Sequence, residues 1–338
     1  MKLQRVLMLK MSGEDVRFMQ TKLKEFGFFK EKIDGFFGQN TLVSVTNFQR
    51  ELGLKPDGVV GSMTWSNIIN FEQKKNSINE LNKTKPVVST SQDIPFKVSY
   101  IGDNGLRIYD CPLNDDEYVK KETKKETIYL HHTAGGSRPD WSIGGWEKDY
   151  VKDKNGNPIL DENGNLQPLR VGTSYVIGRK SSSTTDSLWD GKILKAFDDK
   201  YWAYHLGVNT KGEELNSKSI AIEICNYGPL TLAKDNRFYN YVNKPIDESE
   251  VVELENTFRG FKYYEKYTDT QIDSLRKLIL YLKNKWGIKI EKGIYNEEWF
   301  NYDKKWFTNG GLRSHTQVRS DKYDIFPQKE MIQMLNSL

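Results

Sequence analysis

A small all-α domain followed by a larger domain that mixes strands with helices is the architecture this sequence predicts. Three observations carry it. Apolar residues at helical spacing surround two copies of an Asp-Gly turn between about residues 5 and 72. Short alternating apolar segments at 127–131 and 219–225 read as strands. A long amphipathic stretch then runs from about Thr270 to Trp286. A chain of 338 residues has room for two such domains.

In the first domain, Val16, Met19, Gln20, Leu23 and Phe26 keep helical spacing, and Gly27 can close that helix. Asp34-Gly-Phe-Phe-Gly38 follows as a turn. Thr41, Val45, Phe48 and Leu52 mark a second amphipathic helix, stopped at Gly53. The turn recurs as Asp57-Gly-Val-Val-Gly61, before Thr64-Trp65 and a third short helix through Ile68 and Ile69. Asp supplies a side-chain acceptor to each turn and Gly permits positive φ. The repetition marks an internal duplication. Residues 73–95 are rich in Lys, Asn, Ser and Thr, include Pro86 and Pro95, and read as a tether.

In the second domain, short strands are expected near Phe96–Tyr100 and Leu106–Tyr109, in an extension without an assigned role. In the strand Thr127–His131, Ile128 and Leu130 share one face while Tyr129 and His131 share the other. His132 therefore points away from His131 and reads as a packing or hydrogen-bonding residue. Two Asn-Gly turns follow between Asp153 and Asn165. A calcium loop would need a bidentate Glu at its twelfth position, which is missing, so surface turns or a hairpin are expected. Gly172–Gly178 and Lys192–Phe197 read as further strands. In Ser219–Cys225, Ile220, Ile222 and Ile224 face one side and Ala221, Glu223 and Cys225 the other. An acid inside so apolar a strand needs either a core cation or a chemical task. Asn226–Tyr267 is rich in Tyr and Phe, whose rings either pack sugar faces or fasten the excursion to the core. Thr270 is the expected cap of the long helix and Gly287 its stop.

The histidines are four: His131, His132, His205 and His315. Ile128-Tyr-Leu-His-His-Thr-Ala-Gly135 looks like half of a metal site. Ser314-His-Thr-Gln-Val-Arg-Ser-Asp-Lys-Tyr-Asp324 supplies the other half. Two imidazoles and a carboxylate are a familiar zinc ligand set that leaves a fourth position for water. Net charge is +4, with no basic-aromatic signature for nucleic acid. No apolar run reaches the length of a membrane span, and Met1–Lys10 is too short and interrupted for a signal peptide. Cys111 and Cys225 are expected to be reduced thiols.

Four ordered blocks, Leu130–Gly135, Trp202-Ala-Tyr-His-Leu-Gly207, Ser219–Glu223 and His315 with Lys322-Tyr-Asp324, carry a resemblance. From about Glu126 to Leu338 the chain resembles the zinc-dependent N-acetylmuramoyl-L-alanine amidases of the type 2 superfamily, with its peptidoglycan-recognition and AmpD-like branches. The first segment resembles the three-helix type 1 peptidoglycan-binding domain, through its Asp-Gly turns, Thr41, Phe48-Gln49, Gly53-Leu54 and Thr64-Trp65.

The resemblance implies a division into a peptidoglycan-binding domain (1–72), a linker (73–95) and an α/β amidase domain (96–338), with a mixed β-sheet flanked by helices. It implies zinc on His131, His315 and Asp324, Glu223 as general base, Lys322 as oxyanion stabiliser and His205 as a residue lining the substrate groove. Two departures stand out: Thr173 occupies the place of a catalytic Tyr in some relatives, with Tyr175 two residues on, and the His-to-Lys-x-Asp interval is one residue shorter. The implied partner is bacterial peptidoglycan, with no nucleic acid, membrane insertion or protein partner expected. The implied setting is a phage or prophage endolysin. A non-enzymatic peptidoglycan receptor, a host autolysin and a muropeptide-recycling amidase are the alternatives.

Overall fold

A computed structural model describes residues 3, 5–52, 54, 57–69, 94, 96–162, 164–182, 184 and 186–338. The expected tether, 73–95, lies outside these residues except for Ile94. The backbone divides into two compact units. One holds the described residues before 93 together with Pro112–Glu117 and Gly144–Leu169. The other holds the rest of the chain, including Tyr118–Ile143 and Arg170–Leu338.

The first unit is built on helices α1 (Glu14–Glu25), α2 (Gln39–Glu51) and α3 (62–69). Val16, Met19, Leu23, Phe37, Val45, Phe48, Trp65 and Ile68 form one buried core. The duplicated turn has a shared physical cause. Gln20 is buried, and its Nε2 donates to Asp34 Oδ1, the Phe36 carbonyl and Thr41 Oγ1 at 2.8, 3.0 and 3.0 Å. Gln49 repeats this with Asp57 Oδ1, the Val59 carbonyl and Thr64 Oγ1 at 3.1, 2.8 and 3.1 Å. The repeated polar residues thus satisfy one another inside the bundle, which is scaffold work. The Asn-Gly segment forms two turns, each closed by its own Asp: Asp153 accepts from Asn157 N and Asp161 from Asn165 N.

The second unit is α/β. Its strands and helices are β1 (Lys97–Ile101), β2 (Arg107–Asp110), β3 (Thr127–His132), the start of α4 (Pro139–Trp146), β4 (Tyr175–Ile177), β5 (Ile193–Lys195), α5 (Gly212–Ser217) and β6 (Ser219–Ile224). Then come β7 (Pro229–Leu232), β8 (Phe238–Tyr239), β9 (Pro245–Ile246), β10 (Val251–Phe258), β11 (Phe261–Glu265), α6 (Asp269–Trp286), β12 (Gly311–Ser314), α7 (His315–Val318) and α8 (Lys329–Asn336). Seven strands form a mixed sheet in the order β1-β2-β5-β4-β6-β3-β12. The N-terminal extension therefore supplies its β1 edge. Strands β4, β6, β3 and β12 are parallel neighbours. Such a block needs cover on both faces. Ile128, Leu130, Ile220, Ile222 and Ile224 pack with Leu275, Leu278, Ile279 and Leu282 of α6 on one side. Tyr129, Leu206, Leu215 and Val318 close the other.

The aromatic stretch after Asn226 forms a second, antiparallel sheet, β10-β11-β7-β8-β9, which periodicity did not announce. Tyr264 and Tyr267 are fully buried and stack on Phe326, with centroids 4.3 and 4.5 Å away. Those rings fasten the sheet to the core. Tyr241, by contrast, is 66% exposed. Helix α6 is capped by Thr268 and not by Thr270. Thr268 Oγ1 accepts from Gln271 N at 3.0 Å, and Gln271 Oε1 accepts from Thr268 N in a capping box. The two hydroxyls lie within one turn, and the glutamine three residues on selects the earlier one. Thr268→Ala should therefore cost about 1–2 kcal/mol, read as a lower denaturation midpoint at unchanged slope, while Thr270→Ala stays within about 0.5 kcal/mol.

Candidate metal centre

The parallel block brings its strand ends to one edge. His131 on β3 stands opposite Glu223 on β6, and Leu130 stands opposite Ser314 on β12. His315 follows at once as the first residue of α7. Alternation decides between the adjacent histidines. His131 continues the Tyr129 face, whereas His132 enters the core, with Nδ1 2.9 Å from the Tyr267 hydroxyl. That pocket is tight: Gly228 has φ +77°, and a Cβ there would lie 2.8 Å from His132 Nε2.

Three of the expected site residues converge. His131 Nδ1 and His315 Nδ1 are 3.0 Å apart. Asp324 Oδ2 is 3.0 Å from the latter and 3.4 Å from the former. All three residues are buried. The shortened His-to-Lys-x-Asp interval thus still delivers Asp324. His315 Nε2 lies 2.9 Å from the Leu206 carbonyl, which only accepts, so this nitrogen carries the proton. His315 Nδ1 then presents a lone pair to a carboxylate oxygen and to a second imidazole. Electron-rich atoms so placed attract a cation. Ligand atoms about 2.0–2.1 Å from a tetrahedral divalent ion stand about 3.3 Å apart, close to the triangle seen here. The residues fit a metal ion.

The electrostatics agree. Burial, then the neighbouring His315, push the His131 imidazole down to about 4, so it is neutral at physiological pH. Burial works against the charge of Asp324, but His315 and His131 outweigh it and hold its carboxyl well below the usual range. Glu223 is pushed well above the carboxylate range by burial and then by Asp324, with Lys322 opposing. Its Oε2 is enclosed and has no hydrogen-bond partner among the described residues. Lys322 is half-buried, and its charge weighs on His131, His132 and Glu223 alike.

His205, expected along a substrate groove, has both ring nitrogens engaged within the protein. Nδ1 lies 3.1 Å from His131 Nε2 and Nε2 lies 2.8 Å from Ser219 Oγ. Burial, then His131 and His315, keep it neutral. Thr173 is buried, with Oγ1 donating to the Tyr175 carbonyl, and Tyr175 lies in the core. Neither offers a catalytic phenol. Sequence reasoning missed the Leu206 carbonyl and Ser219, whose only signal was membership of the Trp202–Gly207 and Ser219–Glu223 blocks.

Comparison with known proteins gives two family matches. The N-acetylmuramoyl-L-alanine amidase model matches residues 121–324, and a peptidoglycan binding domain model matches residues 12–68. A spore cortex-lytic enzyme of Bacillus cereus is 47% identical over 53 residues, 16% of this chain and 20% of its own. The N-acetylmuramoyl-L-alanine amidase CwlM of Mycobacterium tuberculosis is 40% identical over 52 residues, 15% of this chain and 13% of its own. The chain spans half or less of the length of the curated relatives it matches. Among solved structures, the amidase AmiD from E. coli aligns over 69% of this chain and 65% of its own, at 16% identity and TM-score 0.32. PlyL aligns over 65% and 85%, at 13% identity and TM-score 0.32. Likeness at that level carries no weight for the site, which rests on the residues above.

Asp324→Ala should weaken binding of a divalent transition metal by more than the ~10–100-fold typical for loss of an outer partner, measured by competition with a chromophoric chelator. Wild-type affinity in that variant would mean that the triangle is not a ligand set.

Proposed function

The chain belongs to the N-acetylmuramoyl-L-alanine amidase family, and from that premise we propose that it hydrolyses the amide between the lactyl group of N-acetylmuramic acid and the L-alanine of the stem peptide. His131, His315 and Asp324 are proposed to hold zinc, which when bound supplies a Lewis acid for the scissile carbonyl and lowers the pKa of water. The rest falls to side chains. Glu223 takes the proton from the attacking water and passes it to the departing nitrogen, so that one side chain serves as base and then as acid. The Lys322 ammonium offsets the negative charge that develops on the carbonyl oxygen. Water adds at carbon, the carbon–nitrogen bond breaks, and the products are a lactyl carboxylate and a free α-amine on L-alanine.

One observation carries this reading: an enclosed, unpartnered Glu223 oxygen on the strand directly beside His131. An enclosed carboxyl oxygen with no hydrogen-bond partner among the described residues holds a proton more readily than one in water, which is what a base that must also act as acid requires. The helical unit is proposed to hold the enzyme on the wall, raising the local concentration of cleavable bonds. A wall-binding module joined to a wall-cutting one suits a phage or prophage endolysin. Among the described residues no helix is long and apolar enough to cross a membrane.

Purified peptidoglycan treated with the protein should gain N-terminal L-alanine and no new reducing ends, by mass spectrometry. A chelator should stop the release and zinc restore it. Appearance of reducing ends, or binding without new amines, would overturn the proposal. Glu223→Gln should slow turnover ~10²–10⁴-fold while metal content stays unchanged. Lys322→Met should slow it by roughly 10²–10³-fold, with the loss in kcat rather than in wall binding.

A further inference from the structure

The two imidazoles of the metal triangle come from distant parts of the chain, yet their far nitrogens end on adjacent residues. His131 Nε2 meets His205 Nδ1 at 3.1 Å, and His315 Nε2 meets the Leu206 carbonyl at 2.9 Å. We propose that His205 and Leu206, held by Asn216 and Ser219, form one positioning device that sets ring orientation and proton placement in both histidines. The inference rests on the metal-centre reading proposed above. It assigns His205 to the imidazole behind the metal rather than to substrate.

The proton count supports a single direction. Ser219 Oγ lies 3.1 Å from the Asn216 carbonyl, which only accepts, so the hydroxyl proton points there. The Ser219 oxygen is then free to accept from His205 Nε2 at 2.8 Å. Two ring nitrogens 3.1 Å apart hold a single proton between them, and a His205 that already donates through Nε2 completes the string by accepting at Nδ1. It takes the proton of His131 Nε2. His131 Nδ1 therefore faces His315 and Asp324 with a lone pair, as His315 Nδ1 does. The opposite direction would place a proton in the middle of the triangle and leave the Ser219-to-Asn216 bond unmade.

The device is anchored through its backbone. Asn216 is buried, and its Oδ1 accepts from both His205 N and Leu206 N, at 2.9 and 3.2 Å. Its Nδ2 donates to the Gly212 carbonyl at 2.6 Å. Arg319 Nη1 donates to the Gly207 carbonyl at 2.6 Å from the other side. Gly207 has φ +59°, and a Cβ there would collide with that guanidinium. One amide side chain thus fixes the two consecutive residues on which the metal histidines depend. Ligating histidines usually give their second N–H to a carboxylate, a carbonyl or water. Here one of the two gives it to a third imidazole.

The test reads zinc affinity of the full chain by chelator competition, together with the visible spectrum of the cobalt-substituted protein. His205→Ala should weaken zinc binding ~10–100-fold and alter the cobalt spectrum. His205→Asn, whose Oδ1 can stand where Nδ1 stands, should recover most of both. Ser219→Ala removes only the end of the string and should weaken binding in the same direction by less. Unchanged affinity in His205→Ala, or equal losses in the Ala and Asn variants, overturns the proposal. If both His205 variants fail to fold, unchanged affinity in Ser219→Ala overturns it. No peptidoglycan enters the measurement, so a failed amidase reading leaves the result standing. A wild-type chain that binds no zinc sinks the metal reading and this one together.

Discussion

Two imidazole nitrogens and a carboxylate oxygen, held 3.0–3.4 Å apart in a buried place, are the arrangement on which the rest of the second unit depends. Such groups repel one another or bind a proton when left alone, and a folded chain must hold them together by force. The force is apolar. Ile128 and Leu130 on β3, Ile220, Ile222 and Ile224 on β6, and Leu312 on β12 are driven against α6. Each such side chain is worth roughly 1.5–3 kcal/mol when fully buried. Their opposite faces carry what water-free packing would reject: His131 and Glu223, side by side at the same sheet edge. The core on one side of the strands is thus the spring that keeps the polar edge on the other side in place.

Alternation made much of this legible in the chain alone. The strand at 127–131 separated His131 from His132 by facing, and the structure sends them to different neighbours for that reason. The isoleucines of 219–225 marked Glu223 as an acid on an apolar strand. The stripe of α6 needed only its period. The second sheet escaped notice because its strands are short, two to eight residues, and few keep one face steadily buried, so no clean period survives. The cap of α6 was misplaced by two residues because a hydroxyl at either position fits the local pattern. The contact of His205 with His131 was not legible for a deeper cause. The two lie 74 residues apart, and no local period reports which imidazole backs which.

The aromatic residues show how one compositional signal can divide. Tyr264 and Tyr267 are core, stacked on Phe326. Tyr241 keeps an exposed face, while its hydroxyl donates to the Ala134 carbonyl at 2.6 Å. That carbonyl belongs to the loop directly after His132, where Ala134 has φ +46°. A turn of the second sheet therefore braces a strained residue beside the site. Buried and exposed rings thus share one stretch, which composition alone does not separate.

The parallel pairing of β3 with β12 joins residues 184 apart in the chain at His131 and His315. Contacts that distant form only after the intervening polypeptide exists and has closed a very long loop. During translation, residues up to His205, Asn216 and Glu223 can be complete while His315 and Asp324 are still unmade. A nascent chain interrupted before Asp324 lacks one corner of the triangle, however well its first unit has folded. The triangle closes only with the late segment that carries His315 and Asp324.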